Sequence, residues 1–204
     1  MNKGFTYIWK RYKKKVIVFS IMMIGFILFL LSLPGQLFND PYSVVVEDMD
    51  GNLLGALLAS DGQWRFPESE NVPEKFKTAV TCYEDKNFFI HPGIDPSAIL
   101  RAAYQNIKGG RIVSGGSTIT MQVIRLSRKG EPRTFVEKLI EMVLAVRLEL
   151  TYSKENILKL YSSHAPFGGN IVGLEAASWR YFGRSPELLS WAEASLLAVF
   201  LPRL

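Results

Sequence analysis

Cysteine is all but missing: Cys82 is the only one in 204 residues, which excludes an intramolecular disulfide and any metal centre built on thiolates. Lying between Val80 and Tyr83, it reads as a small buried hydrophobe. Histidine is nearly as scarce, and His91 has no second histidine at ligand spacing, so a zinc site is not expected. Acidic residues are absent before Val16, where six basic residues stand (Lys3, Lys10, Arg11, Lys13, Lys14 and Lys15). The formal charge of +5 therefore belongs to this head. The remaining 18 basic and 19 acidic residues leave the body at −1, which argues against nucleic acid as a partner. No repeat and no low-complexity segment appears. The length suffices for one domain with a real core and a small appendage.

What is present begins with an uncharged apolar run from Val16 to Leu33, VIVFSIMMIGFILFLLSL, closed by Pro34-Gly35. At 1.5 Å per residue, a helix over this run is just long enough to cross a hydrocarbon core of roughly 30 Å. Ser32-Leu33-Pro34-Gly35 is a poor cleavage site, so the run reads as a signal anchor rather than a cleaved signal. Lysines on its N-terminal side keep that end cytoplasmic and place everything after Leu33 on the other face of the membrane. The expected organisation is a cytoplasmic basic head at 1–15, a transmembrane anchor at 16–33, a linker and β-ribbon at 34–66, and a main domain at 67–204.

The segments 43–48 and 53–59 are β-prone around Asp50-Gly51-Asn52, which is hairpin chemistry, and 61–66 is expected to extend that membrane-proximal ribbon. From Pro73 onward the signals are helical. Phe76, Val80 and Tyr83 recur at helical steps and put Glu84 at a helix C-terminus. Asp95-Pro96 opens a helix that Gly109-Gly110 closes. Another helix runs from the Gly-Gly-Ser-Thr toward Arg128-Lys129-Gly130, and a longer one from Arg133 to about Tyr152. Its expected core stripe is Leu139, Val143, Val146 and Leu150, with Glu137 and Glu141 on another face. Ser153 starts the next helix, Gly168-Gly169 interrupts it, and a helix over Ile171–Phe182 follows. Ser190-Trp191-Ala192-Glu193 is a capping box. Phe88, Phe89, Trp179 and Tyr181 read as core. The fold class is mostly α with a small β entry.

Chemistry concentrates between Glu84 and Gln122. Glu84-Asp85 sits beside aromatics and His91, and Gly115-Gly116-Ser117-Thr118 precedes an apolar run like a helix start able to hold an anion. Together they suggest a carboxylate acting on a sugar or acyl group next to a phosphate cradle.

The motifs Glu84-Asp85-x-x-Phe88-x-x-His91-x-Gly93, Gly115-Gly116-Ser117-Thr118-Ile119-Thr120-x-Gln122, Glu141-x-x-x-Ala145-x-x-Leu148-Glu149 and Lys154-x-x-Ile157-Leu158-x-x-Tyr161 occur in this order. With Gly168, Gly173, Ala176 and Tyr181-Phe182-Gly183, they resemble glycosyltransferase family 51, the peptidoglycan glycosyltransferase module of class A penicillin-binding proteins and monofunctional transglycosylases. The resemblance covers roughly residues 43–204 and looks nearest to the 1C-type branch. It implies a lysozyme-like helical domain that polymerises lipid II into glycan strands. Transfer would invert the anomeric carbon of an undecaprenyl-pyrophosphate-linked donor and join it to the 4-hydroxyl of lipid II. Glu84 would be the general base and Glu141 the second carboxylate. Arg125, Arg133 and Lys138 would contact the donor phosphates, with Ser117, Thr118 and Gln122 lining the cleft. Ser117 and Thr118 also have a plain reading as helix caps. Asp85, Phe88, His91, Gly115 and Gly116 would support the site.

No tightly bound cofactor is implied. The metal is unassigned, with room for a divalent cation (Mg or Mn) at the donor pyrophosphate, where Glu141 would help hold it. Implied partners are lipid II, the nascent glycan strand, the bacterial inner membrane and a cell-wall synthesis complex, with the catalytic domain periplasmic.

Some positions depart from the pattern. Met121 stands where Gln is common. Glu137-Lys138 replaces a basic pair, Ile140 a frequent Lys, and Ser162-Ser163 the usual Leu-Asn. No Ser-x-x-Lys motif with the other penicillin-binding signatures occurs, so acyl-serine chemistry is not expected, and the C-terminus falls within the family's last motif. Two rivals stay open: a lysozyme-like glycan-cleaving enzyme, and a catalytically weak cell-wall scaffold.

Overall fold

The computed structural model describes residues 3–111, 115–129, 131–132 and 134–201, with side chains from residue 12 onward. The chain divides into two units, Met1–Leu37 and Phe38–Leu204. In the first, α1 spans Lys3–Leu30 and ends before Leu31, Ser32 and Leu33. Any stretch of α1 that reaches the 18-residue span length takes in Lys13, Lys14 and Lys15, and among the described residues no helix is long and apolar enough to cross a membrane. The transmembrane helix expected over 16–33 is therefore not found as such. The apolar side chains of α1 are nonetheless exposed, among them Phe19, Met22 and Leu28.

The second unit opens with β1 (Val44–Glu47) and β2 (Leu53–Leu57), an antiparallel pair with Val44 opposite Leu57. The Asp48 carboxylate closes the turn by accepting from the Asp50 and Asn52 N–H groups. The expected extension of this ribbon is corrected. β3 (Trp64–Arg65) pairs in parallel with β4 (Ile171–Val172), because the turn at Gly62 redirects the chain and Trp64 N–H donates to the Asn170 carbonyl. Ile171 is consequently in a strand, not at the start of a helix.

The helices are α2 (Glu74–Glu84), α3 (Pro96–Gly109), α4 (Ile119–Ser127), α5 (Phe135–Glu149), α6 (Lys154–His164), α7 (Leu174–Phe182) and α8 (Trp191–Phe200), with a 3-10 turn at Pro186–Leu188. Caps form where the sequence places them. Asp95 accepts from the Ser97 and Ala98 N–H groups, Ser153 from Asn156, and Ser190 with Glu193 makes the reciprocal box.

At the centre lies α4, with every residue from Ile119 to Ile124 buried, packed between α5 and α6. Leu144, Ala145 and Leu148 face it from α5, and Ile157, Leu158 and Tyr161 from α6. The expected α5 stripe is wrong: Leu139, Val143 and Leu150 are exposed, and Glu141 lies inward. This helix is apolar on both faces, so period alone cannot choose, and the ion pair of Glu141 selects the inner one. Phe88 is core, whereas Phe89, Tyr181 and Cys82 are exposed and Trp179 is half-buried.

Gly93 has φ +90, and a Cβ there would lie 2.7 Å from the Ala145 carbonyl oxygen. Gly93→Ala is therefore expected to lower unfolding stability by about 2–3 kcal/mol in a thermal or denaturant melt. Burial, followed by the neighbouring Glu187, pushes the Glu175 carboxyl up to about 7. A carboxyl raised on folding adds stability that is complete below its unfolded value and is lost as pH rises through the folded one. Glu175→Gln should accordingly raise Tm at pH 8 and leave it unchanged or lower at pH 4; equal shifts at both values would exclude a titration effect.

Candidate active site

Glu84 ends α2, where its half-buried carboxylate accepts from Gln122 Nε2 at 2.8 Å. Gln122 on α4 is held in turn by Tyr161, whose hydroxyl donates to Gln122 Oε1 at 3.1 Å. Burial, then the charge of Glu84, raises the Tyr161 phenol well above its ordinary range, so it stays a neutral donor.

Arg125 lies one turn beyond Gln122 and grips Glu141 with both prongs of its guanidinium, Nε to Oε1 and Nη2 to Oε2, each at 2.6 Å. Glu141 is 3% exposed, and Lys138 Nζ is 3.8 Å from its Oε2. Gln122 and Arg125, three residues apart on α4, therefore tie Glu84 and Glu141 to one face of the same helix.

Asp85 is buried and takes two donors. His91 Nε2 lies 3.0 Å from both its oxygens, and the Ile119 N–H donates to Oδ2 at 3.0 Å. The Gly93 N–H donates to His91 Nδ1, which leaves Nε2 as the protonated ring nitrogen. The first amide of α4 thus faces an internal carboxylate, and the Met121 N–H donates to the Thr118 hydroxyl. The anion expected at this helix start is met by Asp85 itself. Thr118 is 1% exposed and donates to the Gly93 carbonyl, which gives it the cap geometry.

A cavity of about 520 Å³ opens beside α4, lined by Gly115, Gly116 and Ser117, by Arg125, Lys138 and Glu141, and by Arg128 and Glu137. Ser117 Oγ accepts from Lys138 Nζ. Gly116 is required for closeness, since a Cβ there would be 2.9 Å from Ile99 Cα. Glu84 is not part of this lining. Arg133 lies outside the described residues.

Among the described residues no group of three His, Cys, Asp or Glu is placed to hold a metal ion. Both Glu141 oxygens are engaged by Arg125, so that carboxylate does not fit a cation site.

Sequence reasoning named the residues of two features without joining them. One is the Glu149 node, which accepts from Thr120 Oγ1 and Lys154 Nζ, each at 2.6 Å, while Lys154 also reaches the His91 carbonyl. The other is the pair of Arg128 with Glu137, at 2.6 and 3.1 Å. Their spacing was the available signal: arginines three apart on one expected helix and glutamates four apart on the next.

Residues 50–203 match the family described as Transglycosylase. The chain is 46% identical over 161 residues to penicillin-binding protein 1C of Escherichia coli, covering 78% of this chain and 21% of that protein. It is 38% identical over 191 residues to penicillin-binding protein 1A of Aquifex aeolicus, covering 89% and 26%. Against the biosynthetic peptidoglycan transglycosylase of Pasteurella multocida, 36% identity over 197 residues covers 96% of this chain and 79% of that protein. The chain thus spans about a fifth to a quarter of the length of those penicillin-binding proteins. With two carboxylates tied to one face of α4 beside a cavity carrying cations and bare glycine backbone, this chain belongs to the transglycosylase family.

Proposed function

We propose that the chain polymerises lipid II into glycan strands by inverting transfer. What carries this reading is the shared α4 face: Gln122 holds a carboxylate at Glu84, and one turn away Arg125 lines a cation-bearing cavity. Glu84 takes the proton of the acceptor 4-hydroxyl as its oxygen bonds to the donor's anomeric carbon. The bond from that carbon to the pyrophosphate oxygen breaks on the opposite face. Arg125 and Lys138, with Arg133 as a third cation, neutralise the departing diphosphate, and the Ser117 hydroxyl donates a hydrogen bond to it. Glu141 fixes the Arg125 fork and faces the developing positive charge of the sugar ring. A divalent cation, where present, would arrive with the pyrophosphate, since Glu141 is already engaged.

Its location follows from the same chemistry. Each CH₂ of a buried lipid tail contributes about 0.8 kcal/mol to anchoring, so the cleft must work at the bilayer surface. The basic residues up to Lys15 form the cytoplasmic head, the apolar run from Val16 to Leu33 the membrane anchor, and the catalytic domain beyond it is periplasmic. The exposed apolar side chains of α1 support the anchor. Leu100, Tyr104 and Ile107 on α3, with Ile90 before it, are exposed on an element carrying Arg101 and Lys108 and no acid, which supports contact with the interface. A chain beginning at Pro41 should still associate with lipid vesicles. Full activity of it on short-chain substrate in detergent-free solution, without vesicle association, would remove this part of the reading.

The direct test is incubation with labelled lipid II. Longer strands are expected. Shortening of added peptidoglycan would favour a glycan-cleaving enzyme, and neither outcome a scaffold.

A further inference from the structure

The described lining of the cavity carries three cations, Arg125, Arg128 and Lys138, and three carboxylates, Glu131, Glu137 and Glu141. A diphosphate entering it meets no net positive charge from these residues; its cations face internal acids. The two arginine pairs differ in depth. Glu141 is 4% and Arg125 18% exposed at the side chain, whereas Glu137 is 12% and Arg128 32% exposed, so the second pair stands toward solvent. The Arg128 fork meets both oxygens of Glu137. That bond, ahead of the opposing effect of burial, holds the Glu137 carboxyl below the usual carboxylate range, so it is ionised at neutral pH. Deeper in the cavity, Arg125 Nη1 is buried with no hydrogen-bond partner among the described residues.

We propose that Glu137 is an internal competitor for the diphosphate: it occupies the Arg128 guanidinium in the resting cavity and yields it when a diphosphate enters. Arg128 is thereby a further diphosphate ligand, and Glu137 sets how tightly the group is held. A guanidinium fork matches phosphate oxygens as well as carboxylate oxygens, so the exchange needs only a side-chain movement at the more exposed pair. Arg125 cannot exchange in the same way, because its release would strand the buried Glu141 charge. The deep pair holds the cavity's shape while the outer pair adjusts its affinity. A permanently free Arg128 would also retain the leaving diphosphate and slow turnover.

The inference rests on the reading that this cavity takes the donor's diphosphate. It is tested by isothermal titration of the full chain in detergent micelles with inorganic pyrophosphate. Glu137→Gln should bind about tenfold more tightly than wild type, the size of one charge-assisted contact. Glu131→Gln removes the same charge from the same lining without holding the fork, and should change affinity by less than about threefold. Adding Arg128→Ala to Glu137→Gln should abolish the gain. Equal effects of the Glu131 and Glu137 variants would overturn the proposal, as would an unchanged Glu137→Gln or a double variant that binds as tightly as Glu137→Gln alone. Thermal melts establish that each variant is folded. If wild type fails to polymerise lipid II while these affinities move as expected, the reading of function falls and the competitor role stands. If it polymerises lipid II and the affinities do not move, only the competitor role falls.

Discussion

Glu84→Gln is expected to reduce lipid II polymerisation by about a thousandfold while leaving the melting temperature within a few degrees of wild type. General-base catalysis contributes about 10²–10⁴ in rate, and the amide removes it while preserving side-chain volume. Its carbonyl oxygen can still accept from Gln122 Nε2, so the Tyr161–Gln122–Glu84 chain keeps its hydrogen bonds and the α2 terminus its position. The measurement is strand elongation on labelled lipid II beside a thermal melt. Near wild-type elongation would remove Glu84 from the chemistry, and a collapsed melt would make it a structural residue instead.

Arg125→Ala is expected to lower stability by about 3–5 kcal/mol and to abolish pyrophosphate binding. Glu141 is 3% exposed, and without Arg125 it is left with Lys138 Nζ at 3.8 Å. Breaking a buried pair from one side strands a charge, whereas replacing both partners with apolar groups of similar volume is often neutral or stabilising. In a chain of this size the single variant should melt about 10 °C lower. Arg125→Met with Glu141→Leu should recover most of that loss and still bind no pyrophosphate. Recovery of stability without recovery of binding separates the structural part of this pair from its role toward the ligand. A single variant melting with wild type would show that Glu141 is not held by this contact.

Much of the helical frame is legible in the sequence, because its signals are local. Asp95-Pro96, Ser153 and the Ser190–Glu193 box each satisfy amides within a few residues, and a cap needs no knowledge of the rest of the chain. Glu84 at a helix end follows from the spacing of Phe76, Val80 and Tyr83 in the same way. The α5 stripe was misread because Leu139 and Val143 obey the helical period as well as Leu144 and Leu148 do. β3 was misassigned because its partner, β4, lies more than a hundred residues later, and two-residue strands carry no pattern of their own. The end of α1 at Leu30 was likewise invisible in a run whose composition does not change until Pro34.

By itself, then, the amino-acid order determined the helical class, most caps and the candidate residues at 84, 117, 122, 125, 138 and 141. These depend on neighbours along the chain and on motif chemistry. Only the tertiary structure decided which charges meet. It set Arg125 on Glu141 and Arg128 on Glu137, placed Asp85 at the start of α4, and turned Glu141 inward from a helix with two apolar faces. Such pairings arise between elements far apart in sequence, where the desolvation of a buried charge selects its partner and no local propensity records the choice.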